Sequence, residues 1–150
     1  MGKTIEFKIP EGYVVDNENT TENKIILKWV DNEVKLEWDR TFGAVRIEVA
    51  GESPFGVVSH SPSYYCTQEE ANRNFILYRL PSVQQLHIIA KNFKAINKVI
   101  SDNNGFELTL NHYISNEKDG GCPIVIKLPN GEEEIVPDFC QRVVRYVINY

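Results

Sequence analysis

Cys66 is the residue whose type and position come closest to a catalytic arrangement. It directly precedes a predicted helix, where the partial positive charge of the helix N-terminus favours a thiolate, the nucleophilic form of cysteine. His60 stands six residues upstream, in a loop that could fold back and supply a base. A small residue packed at a loop–helix junction would have the same sequence context. We favour this second interpretation and expect no enzymatic activity.

Metal binding would require ligand side chains that converge, and zinc sites show short paired spacings of His and Cys. The candidate ligands show no such spacing; they are His60, His87, His112, Cys66 and Cys122. The sequence therefore predicts no metal and no other cofactor. The acidic run Glu132–Glu134 is no better a site, because successive side chains of a strand point to opposite faces. It is typical of a solvated edge strand.

Two segments combine tyrosines with short polar side chains, a composition typical of adaptable recognition surfaces. They are "SPSYYC" and "NHYISNEKDGG". The alternative is that the tyrosines are core residues and the polar residues form turns. The candidate ligand-binding residues are Tyr64, Tyr65, Tyr113, Asn116, Lys118 and Asp119.

The composition is that of a globular protein and argues against several classes of protein. A chain of 150 residues with 42% hydrophobic residues fits one domain, or one domain with a small appendage. The net charge of −5 and the lack of a Lys/Arg run argue against a nucleic-acid partner. No apolar run is long enough to span a membrane, and the N-terminus lacks the pattern of a signal peptide. We therefore expect synthesis in the cytoplasm, with unpaired thiols; a Cys122–Cys140 disulfide is the alternative.

The first half of the chain has the pattern of short antiparallel strands. Alternation predicts strands at Thr4–Ile9, "KIILKWV", "EVKLEW" and "AVRIEVAG", with a tight hairpin at Asp31-Asn32. The Gly, Pro and Ser content of "GESPFGVVSHSPSYY" predicts a loop. Thr67 and Glu70 form a capping box, which predicts a short helix from about Gln68 to Phe75.

A second capping box predicts where a longer helix begins. Ser82 is its N-cap and Gln85 its partner, and Pro81 prevents an earlier start. Apolar residues then recur at steps of three and four, and Gly105 is expected to take the left-handed conformation that ends the helix. The apolar residues are Leu86, Ile89, Phe93, Ile96 and Ile100.

The last third of the chain returns to strands. "CPIVIKL" and "EEEIV" flank Asn130-Gly131, a strong hairpin signal. "QRVVRYVIN" is rich in β-branched residues and predicts a central strand. The predicted fold class is α+β, an antiparallel sheet with one long and one short helix.

An ordered series of motifs resembles the C-type-lectin-like domains of Bacteroidetes and their phages. The series is "YRLPSVQQL", Ile96-Asn97, Asn104-Gly105, "HYISNEK", Asn130-Gly131 and "VVRYV". The resemblance implies a small N-terminal β leader (residues 1–40) followed by a lectin-like domain (residues 41–150). This sequence departs from the family pattern at Tyr78 and Ile114, which replace tryptophans, and at "SNEK", which replaces "SSTE". The tripeptides of the calcium-dependent sugar binders are absent, so no calcium is expected.

The resemblance also implies a function. Lectin-like scaffolds present a ligand surface on loops above a rigid sheet, so the expected role is a non-enzymatic recognition module of phage or prophage origin. It would bind a glycan or protein of a cell surface, and it could be part of a virion. The alternative is a structural or assembly subunit of a virion or prophage element that forms homo-oligomers through its sheet edges.

Overall fold

The computed structural model describes residues 13–15, 20–29, 34–73 and 77–150, and the chain divides into two compact units, residues 1–34 and 35–150. The strand predicted at Thr4–Ile9 and the hairpin predicted at Asp31-Asn32 lie outside the described residues, as does the end of the short helix predicted up to Phe75.

The first unit contains a two-stranded antiparallel sheet. β1 (Tyr13–Val15) pairs with β2 (Leu27–Trp29). A turn between the strands is closed where the Thr21 amide donates to the Lys24 carbonyl at 2.9 Å. The pattern "KIILKWV" predicts β2 correctly, whereas β1 has no counterpart among the predicted strands.

A four-stranded sheet begins at Val34. Its strands are β3 (Val34–Asp39), β4 (Ala44–Val49), β5 (Phe55–Val58) and β11 (Val147–Asn149), in the order β11–β5–β4–β3. β3 and β4 match predicted strands, but β5 lies in a predicted loop, so that prediction is wrong. All four residues of β5 are buried, which removes the alternation that marks a strand. A Cβ atom at position 56 would lie 2.9 Å from the Tyr150 hydroxyl and 3.3 Å from the Ala44 Cβ, so a larger residue there would require these side chains to move.

A five-stranded sheet holds the remaining strands. They are β6 (Tyr64–Cys66), β7 (His112–Asp119), β8 (Cys122–Lys127), β9 (Glu133–Ile135) and β10 (Arg142–Val144), in the order β6–β10–β7–β8–β9. β8 and β9 form the hairpin predicted at Asn130-Gly131. β6 is a second strand within the predicted loop. Because β10 runs antiparallel to β6 and parallel to β7, this sheet is mixed, and the prediction of an antiparallel sheet is only partly right.

Both predicted capping boxes are present. At α1 (Gln68–Asn72), the Glu70 amide donates to Thr67 Oγ1 at 3.2 Å, and the Thr67 amide donates to the Glu70 carboxylate at 3.2 Å. At α2 (Val83–Lys91), Ser82 and Gln85 exchange the equivalent bonds at 3.0 and 2.9 Å. Local sequence therefore fixes where both helices begin.

The predicted long helix is interrupted at Asn92, and α3 (Phe93–Asp102) follows as a separate helix. The Asn92 side chain donates to the Ile88 carbonyl oxygen at 2.8 Å, a bond that competes with the backbone hydrogen bonds of a helix. The described residues thus form three helices, so the prediction of one long and one short helix is wrong in this respect. The predicted apolar face is retained: Leu86, Ile89, Ile96 and Ile100 are buried, and Phe93 is half-buried.

α3 ends in a Schellman-type cap, but not at the predicted residue. Asn104, with φ of 57°, takes the left-handed conformation that the sequence assigns to Gly105. The Gly105 amide instead donates to the Ile100 carbonyl at 2.9 Å. Glycine is still required, because a Cβ atom at position 105 would lie 2.9 Å from the Ser59 carbonyl oxygen.

The predicted C-terminal strand is divided between the two sheets. β10 is an interior strand of the five-stranded sheet, as predicted, whereas β11 is at the end of the four-stranded sheet. The outer side of β11 is covered by Arg79, whose backbone exchanges two hydrogen bonds with that of Val147 at 2.9 and 2.8 Å.

One core joins the two sheets. Ala44, Val58 and Ile148 of the four-stranded sheet form a single buried cluster with Ile114 and Val144 of the five-stranded sheet. The fold class is α+β, as predicted. No helix in the described part of the chain is long and apolar enough to cross a membrane.

Candidate functional site

A row of three side chains crosses one face of the five-stranded sheet. Tyr65 of β6 lies opposite Val143 of β10, and Val143 lies opposite Tyr113 of β7. Residues in register on neighbouring strands project from the same face, so these three side chains are neighbours. Tyr64 projects to the other face, where its ring centroid lies 5.9 Å from that of Tyr146.

Arg145 holds a chain segment against this face. The side chain is 3% exposed, and its Nη1 donates to the Phe106 carbonyl at 2.6 Å and to the Val58 carbonyl at 3.0 Å. Nη2 donates to the Glu107 carbonyl at 3.0 Å, and Nε donates to the Ser63 hydroxyl at 3.0 Å. Burial lowers the pKa of the Arg145 guanidinium, but arginine stays charged because its ordinary pKa is far above neutral. Backbone carbonyls therefore solvate a buried cation.

Two further contacts fix the same segment, residues 105–111. The Asn97 amide accepts the Leu108 N–H at 2.7 Å and donates to the Leu108 carbonyl at 2.9 Å. The Tyr113 hydroxyl accepts the Thr109 N–H at 2.9 Å. The segment has no regular secondary structure, yet side chains from α3, β7 and residue 145 set its position.

The fixed segment and β6 enclose a cleft of about 450 Å³, which we call the aromatic groove. Residues 64 and 65 of β6 line one side, with only the Tyr65 ring on this face of the sheet. Phe106 and Glu107 line the other side, and the buried Val143 and Arg145 lie at its base. Pro62, Ser63, Thr109 and Asn111 complete the lining. Tyr65 is 63% exposed and Phe106 is 49% exposed. The groove therefore presents two accessible aromatic rings on a rigid base.

The six sequence-predicted site residues are not brought together in one place. Tyr64 and Tyr65 line the aromatic groove, whereas Tyr113 is fully buried and contributes only through its hydrogen bonds to Thr109. Asn116, Lys118 and Asp119 are exposed in the second half of β7, and Lys118 lines a different hollow.

Sequence reasoning missed the other wall of the groove and its Arg145 base. A signal for Arg145 was present, because a charged residue inside the apolar run "VVRYVI" must find buried partners if that run is in the core. No comparable signal marks Phe106 or Glu107, since their place in the groove depends on contacts with residues distant in sequence.

The surroundings of Cys66 differ from those of an activated nucleophile. Burial raises the pKa of the Cys66 thiol, and the negative charge of Glu70 raises it further. His60 Nε2 lies 3.2 Å from the Tyr78 hydroxyl. All three cysteines are free thiols, so the Cys122–Cys140 disulfide is not formed.

Glu133 and Glu134 of the acidic run lie in the edge strand β9, as predicted, and their side chains diverge. Glu133 Oε1 lies 2.7 Å from His87 Nε2 on α2, and Glu134 Oε2 lies 3.5 Å from His112 Nε2 on β7. Within the described ranges, no group of three or more His, Cys, Asp or Glu side chains is placed to hold a metal ion.

Comparisons of the chain with models of known families, with curated proteins and with solved structures give no match.

Proposed function

We propose that the chain is a non-enzymatic recognition module that binds a cell-surface glycan in the aromatic groove. The observation that carries this proposal is the pair of exposed rings, Tyr65 and Phe106, which line a cleft with a rigid polar and apolar base. Small-molecule sites combine apolar lining with a few polar groups and have volumes of about 300–1,000 Å³. The groove has this composition and size.

The chemistry of the lining suits a saccharide. The C–H face of a sugar ring packs against an aromatic ring, and its hydroxyl groups need hydrogen-bond donors and acceptors beside that ring. Tyr65 and Phe106 provide the aromatic surface. Glu107 provides a carboxylate acceptor, and Asn111 provides an amide that donates and accepts.

The groove is also arranged before a ligand arrives. Arg145, Asn97 and Tyr113 fix the segment that carries Phe106, so little backbone order has to be gained on binding. A preorganised site loses less conformational entropy on binding than a mobile loop does. This supports recognition of a specific ligand over nonspecific contact.

We include in the proposal the C-type-lectin-like fold and the phage or prophage origin that the resemblance implies. Residues of the resembling motifs carry structural contacts that support the proposed ligand surface. Asn97 of the Ile-Asn pair binds Leu108, and Arg145 of "VVRYV" holds the groove wall. On a virion, the module would attach the particle to a host-cell glycan or protein.

One feature favours a second candidate, an assembly subunit that forms homo-oligomers. Ile135 of β9 and Phe139 just beyond it are exposed, and large exposed apolar side chains can mark an interaction surface. A stable oligomer in light scattering that Phe139→Ser converts to monomers would support this candidate.

A glycan array tests the main proposal. We expect the wild-type chain to bind a small set of glycans and Phe106→Ala to lose the signal, because the mutation removes one aromatic side of the groove. Phe139→Ala is the matched control, since Phe139 is 76% exposed and does not line the groove. An array without signal, or one unchanged by Phe106→Ala, would contradict the proposal.

A further inference from the structure

β9 lies at the end of the five-stranded sheet, where β8 is its one neighbour in the described part of the chain. The Lys127 amide donates to the Glu132 carbonyl at 2.9 Å, and the Val136 amide donates to a carbonyl of β8 at 3.0 Å. In an antiparallel pair, the backbone groups of successive residues alternate between the two sides of a strand. The N–H and C=O groups of Glu133 and Ile135 therefore point away from β8. No described residue forms a hydrogen bond with them.

β9 is nevertheless held in place from both faces of the sheet. Glu133 Oε1 lies 2.7 Å from His87 Nε2 on α2. Glu134 Oε2 lies 3.5 Å from His112 Nε2 on β7. Successive side chains of a strand project to opposite faces, so the two contacts act on opposite faces of β9. The edge is therefore arranged before a partner arrives, and little backbone order has to be gained on binding.

The side chains of β9 and of the residue before it define the kind of strand that could pair with it. Three consecutive glutamates, Glu132–Glu134, are exposed, and Ile135 is 52% exposed. Side chains directly opposite each other on neighbouring strands interact, and opposite charges stabilise the pair whereas like charges destabilise it. A complementary strand therefore carries Lys or Arg beside the glutamates and an apolar residue beside Ile135. A second copy of this chain fits less well, because it brings another net charge of −5 and another run of glutamates to the interface.

We propose that β9 is a docking strand for an extended, basic segment of a partner protein. The segment adds to the five-stranded sheet as a further strand, and its backbone exchanges hydrogen bonds with the outward N–H and C=O groups of Glu133 and Ile135. Its lysine and arginine side chains lie beside the glutamates. The charges that discourage pairing with a neutral or acidic strand thus select a basic one. β9 contributes no lining residue to the aromatic groove, so this inference is independent of the glycan proposal.

Hydrogen exchange of the full chain, measured by nuclear magnetic resonance with and without a probe peptide, tests this inference. The probe is a synthetic peptide of alternating lysine and valine, blocked at both ends. We expect saturating peptide to slow the exchange of the Glu133 and Ile135 amides by about tenfold or more, because these amides become hydrogen-bonded. The Glu134 amide faces β8 and is the internal control, so its exchange should change less.

Two changes to the protein separate backbone pairing from charge attraction. Ile135→Pro removes an outward N–H without removing a bond to β8, and proline is tolerated where the N–H of an edge strand faces solvent. It should weaken peptide binding by about tenfold or more. Glu132→Gln should weaken binding by about two- to fivefold, the effect of losing one exposed ion pair. Glu69→Gln, on the exposed surface of α1, is the matched control and should leave binding unchanged.

Altered peptides keep the test decisive even if Ile135→Pro fails to fold. A fully N-methylated form of the probe keeps the charges but has no backbone N–H donor, and a peptide of alternating glutamate and valine reverses the charge. Neither should slow the exchange of the Glu133 and Ile135 amides. The inference is overturned if the lysine–valine peptide leaves these amides unprotected, or if either altered peptide protects them equally. It is also overturned if the chain alone protects them as its concentration rises, since a second copy then occupies the edge.

Discussion

Arg145 Nη1 lies 2.6 Å from the carbonyl oxygen of Phe106, 39 residues earlier in the chain. Through this bond a buried residue that directly follows β10 helps to set the position of an exposed aromatic ring. The stability of the core and the shape of the aromatic groove therefore depend on the same guanidinium group.

Replacing Arg145 by methionine should destabilise the fold. The substitution leaves the carbonyls of Phe106, Glu107 and Val58 without their donor, and hydrogen bonds to charged groups contribute about 1.5–3 kcal/mol each. Methionine also removes the free-energy cost of burying a charged group, and this offsets part of the loss. We therefore expect the unfolding free energy, measured with urea, to fall by about 3 kcal/mol. The exposed Arg79→Met is the control and should change the unfolding free energy by less than about 0.5 kcal/mol. Equal effects of the two variants would refute the role of Arg145.

Asn97→Ala should loosen the groove wall. The mutation removes both hydrogen bonds to the Leu108 backbone, and we expect a loss of about 1–3 kcal/mol in unfolding free energy. Hydrogen exchange of the Leu108 amide should become faster as well. Asn116→Ala is the control, because Asn116 is exposed in the second half of β7 and does not contact the segment. An unchanged exchange rate in Asn97→Ala would show that the segment is held by other contacts.

Stability should fall at alkaline pH through Tyr146. Burial, with smaller contributions from Cys66 and Tyr64, raises the pKa of Tyr146 from 10.0 to about 12. The unfolded chain then releases this proton before the folded chain does, so the folded state binds more protons between about pH 10 and 12. The contribution is fully present below about pH 10 and is lost as the pH rises through the folded value. Urea unfolding across this range should show a steeper decline for the wild type than for Tyr146→Phe; parallel curves would be inconsistent with the shift.

Cys66 should react slowly with iodoacetamide. Burial and the charge of Glu70 raise the pKa of its thiol, so the fraction of thiolate at neutral pH is small. Glu70→Gln should speed the reaction, because it removes the charge and still allows a capping box with Thr67. Glu69→Gln is the control. Mass spectrometry of each cysteine gives the rates, and a Cys66 that reacts far faster than Cys122 and Cys140 would revive the enzymatic hypothesis.

The parts of the fold that sequence predicted correctly are those with local signals. The caps at Thr67 and Ser82, and the hairpin around Asn130-Gly131, depend on residues a few positions apart. β5 was missed because a strand buried on all its residues has no alternation. The division of the last strand was missed because pairing with β5 and Arg79 is decided by distant residues.

In the candidate site, too, the residues with a local sequence signal were predicted and those placed by distant contacts were not. Tyr64 and Tyr65 were identified from composition, since adjacent tyrosines with Ser and Pro are typical of recognition surfaces. Phe106 was not identified, because its place in the groove depends on hydrogen bonds to Arg145 and Ser59, which are distant in sequence. The exposure of Tyr113 could not be judged from sequence either, since Tyr residues are common both in cores and at surfaces.

The proposal that the aromatic groove binds a glycan is tested most directly by mapping amide chemical shifts during titration with the glycan that gives the strongest array signal. We predict that the shifts concentrate in residues 63–65 and 106–111, and that Phe106→Ala abolishes them. Shifts confined to residues 116–119, or to residues 135–139, would contradict a ligand site at the groove.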